Sequence, residues 1–145
     1  MNKIKLLFLV VALSGLACVS PTNHHYISFK NAKQFKDFLN RKTENFPLIS
    51  AHRGGPMPGF PENAIETFEN ATTYQPVIIE FDVALSKDSV LVVMHDDKLD
   101  RTSTGTGPIG TYDYKDLQKF TLKDKQGNVT AFKIPTIDEV LNWGK

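Results

Sequence analysis

Glu80 and Asp82 stand two residues apart in the apolar stretch Pro-Val-Ile-Ile-Glu-Phe-Asp-Val-Ala-Leu-Ser that begins at Pro76. Residues two apart in a strand share a face, so both carboxylates point one way and Phe81 the other. Two like charges on one face of an apolar strand are costly unless something cationic neutralises them. A hard divalent ion such as Mg2+ or Ca2+ prefers carboxylate oxygen and would do so. The bare pattern also fits a solvent-facing edge strand with two harmless carboxylates. A hairpin reading adds a third group. With Lys87-Asp88 as a two-residue loop, Ser86 faces Ser89, Leu85 faces Val90, Asp82 faces Val93 and Glu80 faces His95. Directly opposite residues share a face. His95 then lies beside the carboxylates, where an imidazole acts as a general acid/base or a metal ligand. Asp96 and Asp97 follow it and either orient the ring or cap the loop.

A second cluster closes another apolar run, Phe-Pro-Leu-Ile-Ser-Ala, which ends in His52 and Arg53 and then Gly54 and Gly55. Arginine offers a planar fork of donors suited to phosphate. Glycines let backbone approach a ligand closely. A carboxylate-bound metal and Arg53 would together hold a phosphodiester and neutralise charge in its transition state. His52 and His95 would carry opposite proton transfers.

These groups need elements to position them. The run into His52 reads as a buried strand. Pro61-Glu62-Asn63 leads into a helix with Ile65, Phe68 and Ala71 on one face. The stretch from Pro76 reads as a strand, residues 86–89 as a turn, and residues 90–97 as another strand. Residues 99–112 form a loop crowded with Gly, Thr and Ser. Asp113 is positioned to cap a short helix after it. Residues 123–132 read as an exposed turn. Thr136 and Glu139 make a capping box for a helix that runs to the end of the sequence. Ahead of all this, Ala32, Phe35, Phe38 and Leu39 sit at helical spacing in residues 31–42. The order is that of an α/β protein, with polar groups at strand ends, where function collects on the rim of a (β/α)8 barrel.

The 145 residues are 41% hydrophobic and 23% charged, with a formal net charge of +1. Those values exclude a disordered chain, and the charge favours neither a nucleic-acid surface nor a polybasic membrane patch. Residues 1–18 read as an export signal: Lys3 and Lys5, an apolar stretch too short to span a bilayer, then Gly15-Leu16-Ala17 and Cys18. Cys18 is the sole cysteine, so no internal disulfide forms. Its position suggests a lipoprotein signal, with Cys18 lipidated and the mature protein anchored to a membrane, periplasmic or at the cell surface; a secreted form is the alternative. Residues 19–30 read as a polar tether in which His24 and His25 are simply solvated.

The blocks Ala-His-Arg-Gly-Gly from Ala51, Phe-Pro-Glu-Asn-Ala-Ile-Glu-Thr-Phe from Phe60, residues 78–107 and Ile-Pro-Thr-Ile-Asp-Glu-Val-Leu from Ile134 resemble the glycerophosphodiester phosphodiesterase family. The resemblance covers residues 48 to about 143 and rests on several blocks in one order. It implies a TIM barrel of the phospholipase C-like phosphodiesterase type. It also implies a divalent metal, Ca2+ or Mg2+, and hydrolysis of a glycerophosphodiester to an alcohol and glycerol 3-phosphate. It assigns His52 and His95 as the catalytic pair, Arg53 to the phosphate, and Glu80 and Asp82 to the metal, with His95 as an additional ligand in some members. Glu62 and Asn63 match a site-shaping segment, although an acidic residue at a helix start is also explained by the helix dipole. The chain departs from the family pattern at Ala64, where a threonine is common, and at Ser89, where a glycine is common. A TIM barrel needs about 200–250 residues. Residues 31–145 are thus expected to be the N-terminal part of the domain, truncated before the third acidic ligand and inactive alone. Two alternatives remain: a relative acting on lysophospholipids or phosphoinositides, and a non-catalytic phosphate- or lipid-binding lipoprotein. The joint presence of His52, Arg53, Glu80, Asp82 and His95 argues against the last. Oligomeric state is not legible.

Overall fold

A computed structural model describes residues 25–40 and 47–145. Cys18, the export signal and His24 lie outside the described residues. Among the described residues, four short strands and four α-helices follow the expected order: α1 (Ala32–Leu39), β1 (Ile49–Ala51), α2 (Ile65–Thr72), β2 (Val77–Ile79), β3 (Val83–Leu85), β4 (Leu91–Val93), α3 (Tyr114–Leu117) and α4 (Ile137–Trp143). β1 pairs in parallel with β2, Ser50 opposite Ile78; β3 pairs antiparallel with β4, Ala84 opposite Val92.

The stretch read as one strand from Pro76 is two. It changes partner at Glu80-Phe81-Asp82. The Glu80 backbone continues the first ladder, donating to Ala51 O and accepting from Gly54 N. The Asp82 carbonyl continues the second, accepting from Met94 N. Phe81 is packed toward Phe68 in the core, with ring centroids 6.0 Å apart. The alternation of sides thus survives the break between strands.

The hairpin register also differs from expectation by one residue. Val83 faces Val93 and Leu85 faces Leu91. The loop holds three residues, Lys87 to Ser89: Ser89 N donates to Ser86 O, Ser86 N to Val90 O, and Ser89 adopts φ 64°. A type I turn followed by a left-handed residue is a standard three-residue hairpin connection. The Asp88 carboxylate accepts from Ser86 Oγ at 2.6 Å and from Tyr114 N at 2.9 Å. It thereby caps α3, where Asp113, the expected cap, makes no side-chain capping bond and instead lies 3.6 Å from Lys87 Nζ.

β4 joins two cores by strand alternation. Val92 and Met94 pack with Leu99, Ile109, Leu117, Leu122 and Ile134. Val93 packs with Phe68 and Val140. Ala64, the N-cap of α2, has no side-chain oxygen to cap the helix and is instead wholly buried in the first core. α4 carries the expected capping box, with Thr136 and Glu139 satisfying each other's backbone N–H groups.

One sequence expectation changes here. His25 is not a solvated tether residue. Its ring stacks on Trp143 at 4.4 Å, and Nε2 lies 3.0 Å from Glu69 Oε2, which also accepts from Trp143 Nε1 at 2.8 Å. The turn is exposed as expected over residues 125–129, and it is also anchored: the buried Asp124 accepts from Gln126 N and Asn128 N and, across 65 residues, from Gly59 N.

Candidate active site

The end of β1 leaves strand geometry at once. His52–Gly54 form a single 3-10 turn in which Arg53 takes a left-handed conformation, φ 51° and ψ 32°. Such a backbone is unfavourable for a side-chain-bearing residue and persists only where its surroundings hold it. Here the hold is visible. Arg53 N donates to Glu80 Oε2 at 2.7 Å, Arg53 O accepts from Asn63 N, and Arg53 Nη1 donates to Glu62 Oε1 at 2.9 Å. Gly54 follows at φ 83°, so close to α2 that a Cβ would fall 2.2 Å from Phe68 Cδ1.

Asp82 reaches the same arginine from the other side. Its Oδ2 lies 3.5 Å from Arg53 Nε and accepts from Asn63 Nδ2 at 3.0 Å. Asp82 N in turn donates to Asn63 Oδ1 at 3.1 Å. Both carboxylates of the 80–82 segment therefore converge on Arg53. The one buried side-chain nitrogen or oxygen without a hydrogen-bond partner among the described residues is Arg53 Nε.

His95 projects past the end of β4. Its Nδ1 is 2.7 Å from Asp96 Oδ1. The one-residue shift in register puts His95 opposite Phe81 rather than Glu80, so pairing does not place it beside the carboxylates. Asp96 is held by Arg101, through Nε to Oδ2 at 2.7 Å and Nη2 to Oδ1 at 2.8 Å. Arg101 also grips Glu62, through Nη1 to Oε2 at 2.9 Å and Nη2 to Oε1 at 2.7 Å. The hydrogen bonds and positive charge of Arg101 hold the Asp96 carboxyl far below the usual range, and the bonds and negative charges of Glu62 and Asp96 raise the Arg101 guanidinium further. Burial pushes Glu62 up, but Arg101 and then Arg53 outweigh it, leaving its pKa lowered.

Glu62 is therefore more than a helix-dipole residue, since it bridges two guanidiniums. Arg101 falls in the 78–107 block of the family resemblance, but nothing in that block assigns it a partner. The fact that it is five residues beyond Asp96 becomes informative only once the loop is folded. The His52 imidazole makes no hydrogen bond among the described residues and borders an open cavity of about 660 Å³ that Met57, Asn70 and Tyr74 also line. Arg53, Glu80 and Asp82 do not line it, so the chemistry is not centred there.

Glu80 and Asp82 offer the hard oxygens a divalent cation takes. Glu80 Oε1 and Asp82 Oδ1 make no hydrogen bond among the described residues, while each partner oxygen faces Arg53. The expected ligand set is not assembled, however: among the described residues no three His, Cys, Asp or Glu side chains converge to hold a metal ion. Two carboxylates fit as part of a coordination shell, not the whole of it.

Comparison with known proteins yields a family profile described as the glycerophosphoryl diester phosphodiesterase family, matching residues 52–145. The chain is 35% identical over 109 residues to a glycerophosphodiester phosphodiesterase of Bacillus subtilis, covering 68% of this chain and 36% of that protein. A crystal structure of a glycerophosphoryl diester phosphodiesterase from Parabacteroides distasonis superposes with a TM-score of 0.68 at 51% identity, over 70% of this chain and 35% of that one. An Oleispira antarctica phosphodiesterase, solved in complex with its product sn-glycerol-3-phosphate, superposes with a TM-score of 0.60 at 31% identity, over 68% and 40%. The family's solved members are TIM barrels, and this chain carries an α/β portion of one, spanning under two fifths of the length of the curated relative. By the profile and by the identity of its folded part, the chain belongs to the glycerophosphoryl diester phosphodiesterase family.

Proposed function

We propose that the full-length protein hydrolyses glycerophosphodiesters to an alcohol and glycerol 3-phosphate, with His52 and His95 as the acid-base pair. The observation that carries this reading is Arg53 Nε, buried and without a hydrogen bond although Asp82 Oδ2 lies 3.5 Å away, in the residue next to His52, whose imidazole makes no hydrogen bond among the described residues. A buried donor left unpaired is costly, and an anionic phosphoryl oxygen is the partner a guanidinium suits best. Glu62 and Asp82 fix the plane of that guanidinium before substrate arrives. This is the preorganisation that electrostatic stabilisation requires.

With Nδ1–H donated to Asp96, neutral His95 keeps its lone pair on Nε2 and is set as the base. It takes the proton of the substrate's own glycerol hydroxyl as that oxygen bonds to phosphorus. The phosphorus–oxygen bond to the alcohol breaks, and His52 protonates the departing oxygen. Water then opens the cyclic phosphate with the two roles reversed. Attack within one substrate molecule gains a high effective molarity. A divalent cation held by Glu80 and Asp82, Ca2+ or Mg2+, would supply charge neutralisation at the phosphate.

The test is release of glycerol 3-phosphate from glycerophosphocholine by the full-length protein with Ca2+, with Mg2+ and with EDTA. His52→Ala and Glu80→Ala should each abolish release, and EDTA should suppress it. A folded wild-type protein inactive on every glycerophosphodiester overturns the reading.

The same reading has the protein exported and anchored through a lipid on Cys18. Support comes from the basic and apolar residues ahead of that single cysteine. Cys18→Ala should move the protein from the membrane fraction to the soluble one.

A further inference from the structure

Arg101 lies inside the 78–107 block that carries the family resemblance, but its type and spacing there give it no role. Its guanidinium makes four hydrogen bonds of 2.7–2.9 Å, two to Asp96 and two to Glu62. Asp96 holds Nδ1 of His95, and Glu62 holds Nη1 of Arg53. A continuous path of charge-assisted bonds therefore runs His95–Asp96–Arg101–Glu62–Arg53. It joins the loop after β4 to the loop before α2, 39 residues apart between Glu62 and Arg101.

Three features make this more than a surface ion pair. Charge-assisted, two-point bonds are the strong and directional ones, and only the planar fork of arginine satisfies two carboxylates at once. Glu62 is 15% exposed and Asp96 27%, so two negative charges are held partly out of water around one cation. Arg101 itself is half exposed and belongs to neither hydrophobic core, so its contacts serve its two partners rather than packing.

We infer that Arg101 is a positioning residue for the reaction proposed above, on which this inference rests. One edge of its guanidinium sets the carboxylate that orients the His95 ring. The other sets the carboxylate that orients the Arg53 fork. It touches neither substrate nor reacting atoms, and it makes the proton-transfer group and the phosphate-binding group one rigid unit.

The consequence is a pattern across three variants of the full-length protein, read as kcat and KM for glycerophosphocholine. Asp96→Asn acts most directly on the His95 ring, leaving Arg101 its two bonds to Glu62, and should lower kcat about tenfold with a smaller change in KM. Glu62→Gln loosens the Arg53 side and should raise KM several-fold with a smaller change in kcat. Arg101→Gln should do both, and adding Asp96→Asn to it should lower kcat by less than about twofold more, because groups acting as a unit are not additive. Arg101→Lys keeps the charge without the fork, folds on the same contacts otherwise, and should lie between Arg101→Gln and wild type. An active wild type with Arg101→Gln and Arg101→Lys both within about twofold of it in both parameters overturns the positioning role alone. Additive losses in the double variant do the same. An inactive wild type takes down the phosphodiesterase reading and this inference with it.

Discussion

Asn63 clasps Asp82 by both ends of its amide, donating Nδ2 to the carboxylate and accepting the Asp82 backbone N–H, at 3.0 and 3.1 Å. The asparagine is almost wholly buried and stands at φ 61°. Asparagine tolerates that left-handed backbone better than most residues. One residue therefore fixes the carboxylate, its backbone and the entry to α2 together.

Asn63→Ala should be severe. It removes two hydrogen bonds, one to a charged group, and adds left-handed strain, a loss of roughly 2–4 kcal/mol. Asn63→Gly removes the bonds but not the permitted backbone and should cost less. Urea unfolding of the two variants separates the amide's contribution from the backbone's; equal losses would sink the strain argument.

Gly54 allows a comparison with Gly59. Both have φ near 80°, but a Cβ on Gly54 would strike Phe68 while one on Gly59 meets nothing within 4 Å. Gly54→Ala should cost about 2–5 kcal/mol from overpacking plus strain, and Gly59→Ala only the strain, about 1–2 kcal/mol. Thermal unfolding of the pair reads the difference directly.

Ser89 holds the left-handed position of the β3–β4 turn without a side-chain hydrogen bond, and it is exposed. Ser89→Gly should relieve the backbone and stabilise the protein by about 0.5–1 kcal/mol, net of the entropy glycine loses on folding. A lower denaturation midpoint in the glycine variant would mean that the turn owes its shape to Ser86 and Asp88 alone.

Acid should act through Glu62 and Asp96. Both carboxyls are held below their ordinary values in the folded protein. Arg101 hydrogen bonding is the largest influence on Asp96; for Glu62 burial is the largest single influence, but the contacts with Arg101 and Arg53 together outweigh it. A depressed folded pKa gives stability that is full above the unfolded value and is lost as pH falls through the folded one. Stability should therefore decline below about pH 4, and Arg101→Gln should flatten that decline. Urea midpoints from about pH 3 to pH 7 test it, and an unchanged acid limb in the variant would exclude Arg101 as its source.

The order of elements, the capping box at Thr136 and the convergence of Glu80 and Asp82 were legible in the sequence because each follows from local periodicity or local chemistry. The break between β2 and β3 was not, since Val, Ile and Phe favour extended backbone on either side and only the pairing partners change. The register failed by one residue because Ser89 adopts a conformation that glycine would have announced. Arg101 was invisible for a different reason. Its partner Glu62 is 39 residues away, and no local pattern encodes a contact at that distance. The anchoring of His25 depends in the same way on Glu69 and Trp143.

Trp143 is the only tryptophan in the chain, and its indole lies face to face with the His25 ring while donating to Glu69. A stacked imidazole quenches indole emission. The intrinsic fluorescence of this protein is thus a single-site optical gauge of whether the segment at residue 25 is seated across α2 and α4. It touches neither Arg53 nor His95, so the seating of the N-terminal segment and turnover at the phosphate site have separate signals in the same cuvette.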